Sequence, residues 1–174
     1  MATQKKEVVE GGSVKIGVVL GFTGPIESLT PDMAAGAEMA MGEASKSGKF
    51  LGGATVESVR GDSTCVDAAA ATATAERLIT SDKVVAIMGA DCSGVTTAVL
   101  QNVATAKGIV MISPSATSPA LSTIEDNGLF FRTSPSDARQ GQVLAEILEE
   151  KGVKSAAISY TNNDYGKGLA DSIQ

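Results

Sequence analysis

The chain has 174 residues, 43% apolar and 20% charged, with 20 acidic against 14 basic side chains, a formal charge of −6 and no histidine. That balance suits one globular core. The lack of any basic block speaks against nucleic acid and anionic membrane surfaces as partners. The missing histidine removes Ser-His-Asp and Cys-His nucleophile systems and most zinc sites.

Six aromatic residues (two Tyr, four Phe, no Trp) make a poor base-stacking surface. No apolar run reaches the roughly 18 residues of a membrane span. The first residues, MATQKKEVVEGGSVK, lack the apolar core of a signal peptide. Either the protein stays in the cytosol or a leader has been removed.

In chain order, VKIGVVL (residues 14–20) reads as a β-branched strand. It runs into Gly21-Phe22-Thr23-Gly24-Pro25, where a dinucleotide fingerprint would need G-x-G-x-x-G opening directly into a helix. Pro25 interrupts that pattern, and the loop continues through Thr30. Pro31-Asp32 starts a helix with Met33, Ala37, Ala40 and Met41 along one stripe. A second strand spans residues 54–59. An Ala/Thr-rich helix follows over 66–79, with Ala71, Ala75, Leu78 and Ile79 facing inward. A third strand covers residues 84–88 and a helix residues 94–107. A fourth strand at 108–112 ends in Ser-Pro-Ser-Ala-Thr-Ser-Pro. The β-α-β-α-β-α-β order predicts an α/β fold, a parallel sheet with right-handed crossovers and helices on both faces.

Beyond Pro119 come a short helix or turn, a compact strand at 129–132, and a proline-containing linker at 133–136. An amphipathic helix over 137–151 has Val143, Leu144, Ile147 and Leu148 on its apolar face, stopped by Gly152. Then come a strand at 155–160, an exit loop, and the start of a helix from Gly166. The expected organisation is a tail at 1–13, a first lobe at 14–132, a crossover at 133–136, and the beginning of a second lobe at 137–174. A second lobe cut short would expose the Val143–Leu148 face and lead to instability or association with the missing part.

Two strand ends, after Met88 and after Ile112, release hydroxyl-rich loops at the carboxyl edge of such a sheet. Ser93 and Ser118 stand at N-cap positions, Ser118 ahead of Pro119. Each serine can be read as the cap of its own helix. Two helix N-termini ringed with hydroxyls and aimed at one crevice can also hold a small carboxylate. Cys65 and Cys92 follow neighbouring strands, either as a disulfide of an exported protein or as two unrelated thiols.

Four stretches then carry a family resemblance: KIGVVLGFTGPIESL, DSTCVDAAAATATAERLI, MGADCSG with MISPSATSPAL, and FFRTSPSDARQG followed by YTNNDYGKGLADSIQ. Together they make residues 14–174 resemble the N-terminal portion of type I periplasmic solute-binding proteins. Within that group the likeness is to the leucine/isoleucine/valine-binding branch of the branched-chain amino acid ABC transporter family. The resemblance implies two α/β lobes closing on a ligand, and a disulfide between Cys65 and Cys92. It gives Ser93 the ligand carboxylate, and Ser115, Ala116 and Thr117 a loop holding carboxylate and ammonium. Tyr165 becomes a second-lobe contact made on closure. Leu29 stands where relatives often place an aromatic wall. Asp91 stands where a small or apolar residue is usual, at the pocket rim or as a solvated carboxylate. A membrane ABC permease, a periplasmic location and a missing C-terminal part of the same protein follow from the same likeness, with no cofactor or metal.

The leading expectation is thus binding of an amino acid or similar small carboxylate without catalysis. A receptor's sensory domain of the same fold is the alternative. An α/β enzyme using Asp62, Asp91 and Asp164 at the strand ends is the third. Against the enzyme, Tyr165-Gly166-Lys167-Gly168 lacks the upstream glycine and the Ser/Thr of a phosphate loop.

Overall fold

The computed structural model describes residues 11–174; most of the expected tail at 1–13 lies outside them. Five strands form one parallel sheet in the order β2-β1-β3-β4-β5: β1 Ser13–Leu20, β2 Thr55–Asp62, β3 Ala86–Gly89, β4 Val110–Ser113 and β5 Phe130–Arg132. Alternation along β1 sorts the two faces. Val18 and Leu20 pack with Ala34, Met33 and Met41 of α1 (Thr30–Lys46). Val19 packs on the opposite face with Ala71, Ala75 and Leu78 of α2 (Ala68–Thr80) and Val95 and Val99 of α3 (Ser93–Val99). Helices on both faces of a parallel sheet are the architecture the periodicity calls for.

Local chemistry sets the helix ends. Pro31 opens α1, where a missing N–H is harmless, and Asp67 caps α2 by accepting from the N–H groups of Ala69 (2.9 Å) and Ala70 (3.0 Å). On α1 the buried small residue is Ala34, while Ala40 of the expected stripe faces solvent. From Ser93 the helix runs on through a π turn at Leu100–Ala104 into α4 (Thr105–Lys107), which Gly108 ends in the left-handed region at φ 66°. After Ser118 the expected short helix or turn is a single 3₁₀ turn, Pro119–Ser122.

The remaining elements are α5 (Asp137–Glu150) and α6 (Asp164–Ile173). They pack closely where Gly141 meets α6: a Cβ there would lie 2.2 Å from the Ser172 carbonyl oxygen. Residues 155–160, expected as a strand, are exposed and belong to no ladder. A strand exists only by pairing, and none of β1–β5 neighbours this segment. The apolar face of α5 is likewise only half-covered: Asp137 and Gly141 are its buried residues, while Val143, Leu144 and Leu148 are partly exposed and Ile147 faces solvent.

Candidate functional site

The order β2-β1-β3 places a topological switch point between β1 and β3. There α1 leaves toward one face and α3 toward the other, opening a crevice beyond the strand ends. The residues lining that edge are bonded to one another across the loops.

Asp91 is the central tie. It is 2% exposed and accepts from the Gly21 N–H (2.6 Å), the Ser63 hydroxyl (3.1 Å) and the Cys92 N–H (2.9 Å). One carboxylate thereby joins the exits of β1, β2 and β3. This corrects the expectation of a solvated loop carboxylate. A buried carboxylate must be hydrogen-bonded, and these three donors satisfy it. Cys65 and Cys92 form a disulfide beside it, with α-carbons 5.3 Å apart. The open alternatives for this pair resolve to the bridge.

Ser93 and Ser118 do not cap. Cys92 takes the N-cap place of α3, and Ser93 is the first helical residue. Ser118 does precede the 3₁₀ turn, yet its side chain caps nothing. Instead the loops bond together. The Ser93 hydroxyl accepts from the Ser118 N–H (3.1 Å), Ser115 donates to the Asp91 carbonyl (3.0 Å), and Ser113 donates to the Ala90 carbonyl (2.5 Å). The expectation that these turns meet is therefore met, although local capping was the wrong reason for the serines.

Thr117 donates its hydroxyl to Asp137 (2.8 Å), and the Asp137 N–H donates back to the Thr117 carbonyl (2.9 Å). Arg132 donates to the carbonyls of Ala116 (3.2 Å) and Ser118 (2.9 Å). Burial pushes the Arg132 guanidinium below its ordinary range while nearby Asp137 favours its charged form. Neither Arg132 nor Asp137 stands out in sequence, where an acidic residue after Ser136 looks like ordinary helix-start chemistry. A groove runs from Thr117 past Asp137 to Val143 and Leu144.

Tyr165 lies in the first turn of α6, 45% exposed, and makes no hydrogen bond among the described residues. Its helix approaches both loops. A Cβ on Gly168 would sit 3.2 Å from the Ser118 hydroxyl, and one on Gly94 would sit 3.8 Å from the Asp164 carboxylate. Leu29 is 56% exposed at the N-cap of α1, on the β1 exit loop.

The three carboxylates of the enzyme alternative are not gathered. Asp62 serves its own turn: burial pushes its carboxyl up, but bonds from the Thr23 hydroxyl and the N–H groups of Thr64, Thr23 and Phe22 hold it below the usual range. Among the described residues no cluster of three acidic or cysteine side chains is placed to hold a metal. No described helix is long and apolar enough to cross a membrane.

Comparison with known proteins agrees with this geometry. The family described as "Periplasmic binding protein" matches residues 13–174. A Leu/Ile/Val-binding protein of Citrobacter freundii is 33% identical over 162 residues, which are 92% of this chain and 43% of the relative. A branched-chain amino acid transporter substrate binding protein from Streptococcus pneumoniae, solved with isoleucine, superposes with a TM-score of 0.77 at 28% identity, over 92% of this chain and 45% of that one. An ABC transporter solute binding protein from R. palustris, solved with benzoate, gives 0.79 at 26% identity over 92% and 43%. The chain thus spans under half the length of the proteins it matches.

Proposed function

The chain belongs to the periplasmic binding protein family, and on that premise we propose that the protein containing it is the substrate-binding component of an ABC importer. It takes an amino acid or similar small carboxylate into a cleft between two lobes and presents it to a membrane permease. Residues 14–132 form the first lobe, 133–136 the crossover and 137–174 the beginning of the second. The rest of the second lobe belongs to the part of the protein beyond this chain. The protein acts in the periplasm, and its role is binding rather than catalysis.

The observation that carries this reading is the direct bonding of the two strand-exit loops, Ser118 N–H to Ser93 and Ser115 to the Asp91 carbonyl, at the switch point. Ligands of open α/β sheets bind at such points. The N–H groups opening α3 find no acceptor among the described residues, which suits a carboxylate. Ser93, Ser115, Ala116 and Thr117 supply the first-lobe contacts. Tyr165 adds its ring on closure, and Leu29 borders the side-chain end of the ligand. Closure is favoured by the ligand's better binding to the closed form.

The test is calorimetric titration of the full-length protein with amino acids, in wild type, Ser93→Ala and Thr117→Ala. Each substitution removes a charge-assisted hydrogen bond and weakens binding by roughly 10- to 100-fold with the melting temperature nearly unchanged. Unaltered affinity in both variants overturns the site.

A further inference from the structure

After Leu20 the chain leaves the sheet as the loop 21–29, whose last residue, Leu29, precedes α1. Among the described residues one hydrogen bond ties this loop to the β3–α3 side of the crevice: the Gly21 N–H donates to Asp91 Oδ2 (2.6 Å). Asp91 Oδ1 takes the Ser63 hydroxyl and the Cys92 N–H, and the Asp91 carbonyl takes the Ser115 hydroxyl. A Cβ on Gly21 would lie 3.3 Å from Asp91 Oδ2 and from both Cβ and N of Cys65. The glycine thus lets the carboxylate and the bridge close on the loop. The Cys65–Cys92 bridge joins the β2 exit to α3. Its turn bonds the loop through Thr23, which donates its N–H (3.3 Å) and hydroxyl (2.5 Å) to Asp62.

We propose that Asp91 is a positioning residue: it seats the loop 21–29 against the start of α3, and so holds the wall that reads a ligand's side chain, whether the bridge is closed or open. This deepens the reading of the preceding subsection and rests on it, since there Leu29 borders the side-chain end of the ligand. The two fastenings differ in kind. In the chain-entropy account a disulfide acts on the unfolded chain, whereas a buried carboxylate with matched donors fixes the native geometry. Opening the bridge therefore costs stability and leaves the wall in place, while mismatching the carboxylate moves the wall. Asp91→Asn supplies that mismatch at constant size. An amide has one acceptor oxygen and puts an NH₂ in place of the other. The Ser63 hydroxyl can turn to accept from it. The N–H groups of Gly21 and Cys92 cannot, so one of them is left facing a donor.

The test uses the full-length protein. A thermal-shift screen against the twenty standard amino acids and benzoate selects the tightest ligand. Competition calorimetry then compares it with its counterpart lacking the side chain, glycine for an amino acid and acetate for benzoate. Wild type is expected to prefer the full ligand by at least about tenfold, Cys65→Ser/Cys92→Ser to keep that ratio within about twofold, and Asp91→Asn to shrink it by at least about fivefold. In the ligand-free protein, hydrogen exchange over 21–29 should quicken in Asp91→Asn by more than in α2. Equal quickening throughout, or a ratio that Asp91→Asn leaves unmoved, reduces Asp91 to a general stabiliser and overturns the proposal. A ratio that falls as far on loss of the bridge assigns the seat to the disulfide and overturns it too. If Asp91→Asn does not fold, Asp91→Ala replaces it, removing all three ties and the buried charge together; the ratio must shrink there as well, and an unchanged ratio overturns the assignment. Wild type that holds glycine or acetate as tightly as any other probe overturns this inference alone. Wild type that binds none of the probes overturns the preceding reading and this inference with it.

Discussion

Of the carboxyl edge of the sheet and the α5–α6 pair, only the first is built as a closed structure. At the edge, the exits of β1, β2 and β3 meet at Asp91, the Cys65–Cys92 bridge lies alongside, and Leu78, Ile87 and Met111 beneath are fully buried. In the pair, α5 buries Asp137 and Gly141 and leaves Ile147 outside, and residues 155–160 run without a ladder. Amphipathic periodicity is equally plain in both regions. What differs is the number of neighbours each apolar stripe finds, and that number, more than propensity, turns a helix or strand into structure.

The largest expected effect tests this contrast directly. Leu78→Ala removes a fully buried side chain that packs under β1 and β3, and is expected to lower unfolding free energy by about 2–5 kcal/mol. Ile147→Ala in the isolated chain, at a residue 39% exposed, is expected to change it by under about 1 kcal/mol. Urea denaturation of the two variants side by side decides; equal losses would mean that α5 is as well packed as the sheet.

Next in size is the bridge. Cys65 and Cys92 are 27 residues apart, and in the chain-entropy account closing such a loop is worth about 3–4 kcal/mol. The Cys65→Ser/Cys92→Ser variant should therefore melt lower, while Asp91 still ties the same three strand exits. The contrast between the regions sharpens if protease resistance falls around residues 63–66 and leaves α5–α6 unchanged. It breaks if losing the bridge raises cleavage in α5–α6 as much as around residues 63–66. Gly141→Ala acts on the other side. Its Cβ would collide with the Ser172 carbonyl, so α6 must shift, at about 1–3 kcal/mol of local overpacking. Hydrogen exchange should quicken over 164–173 and stay unaltered in β1–β4; faster exchange spread over the sheet would show that the two regions unfold as one.

How far the sequence carries follows the same division. The strand–helix alternation, the parallel order and the meeting of the 91–93 and 115–118 turns are legible because β-branched runs and glycine stops are local signals. The strand at 155–160 fails as a prediction because alternation reports a willingness to extend, and a ladder needs a partner that the described chain does not hold. Asp91 misleads because a carboxylate in a loop normally faces water, and nothing local reveals that Gly21 and Ser63 converge on it from 70 and 28 residues away. Asp137 goes unnoticed for a similar reason: at a helix start an aspartate is ordinary, and its bond to Thr117 bridges 20 residues. Long-range polar ties leave no periodicity behind.

The smallest expected effect lies at the outer end of the tied edge, where Arg60 bonds Glu38 through Nε and Nη2, both at 2.7 Å, and lies 5.3 Å above the Phe22 ring of the β1 exit loop. The Arg60 guanidinium holds the Glu38 carboxyl below its usual value, burial opposes this, and the Ser58 hydroxyl adds to the lowering. A carboxyl whose value is lower folded than unfolded stabilises the fold above the unfolded value, about 4.3 for glutamate, and loses that contribution as pH falls through the folded value. The pair is largely exposed, so Glu38→Gln should reduce stability by under about 1 kcal/mol near neutral pH. The gap between variant and wild type should be constant from about pH 7 to 5 and close below about pH 4. Melting curves across that range check the sign: a gap that persists in acid would mean that Glu38 contributes through packing against Ser58 and Arg60, and that its charge is incidental to the edge.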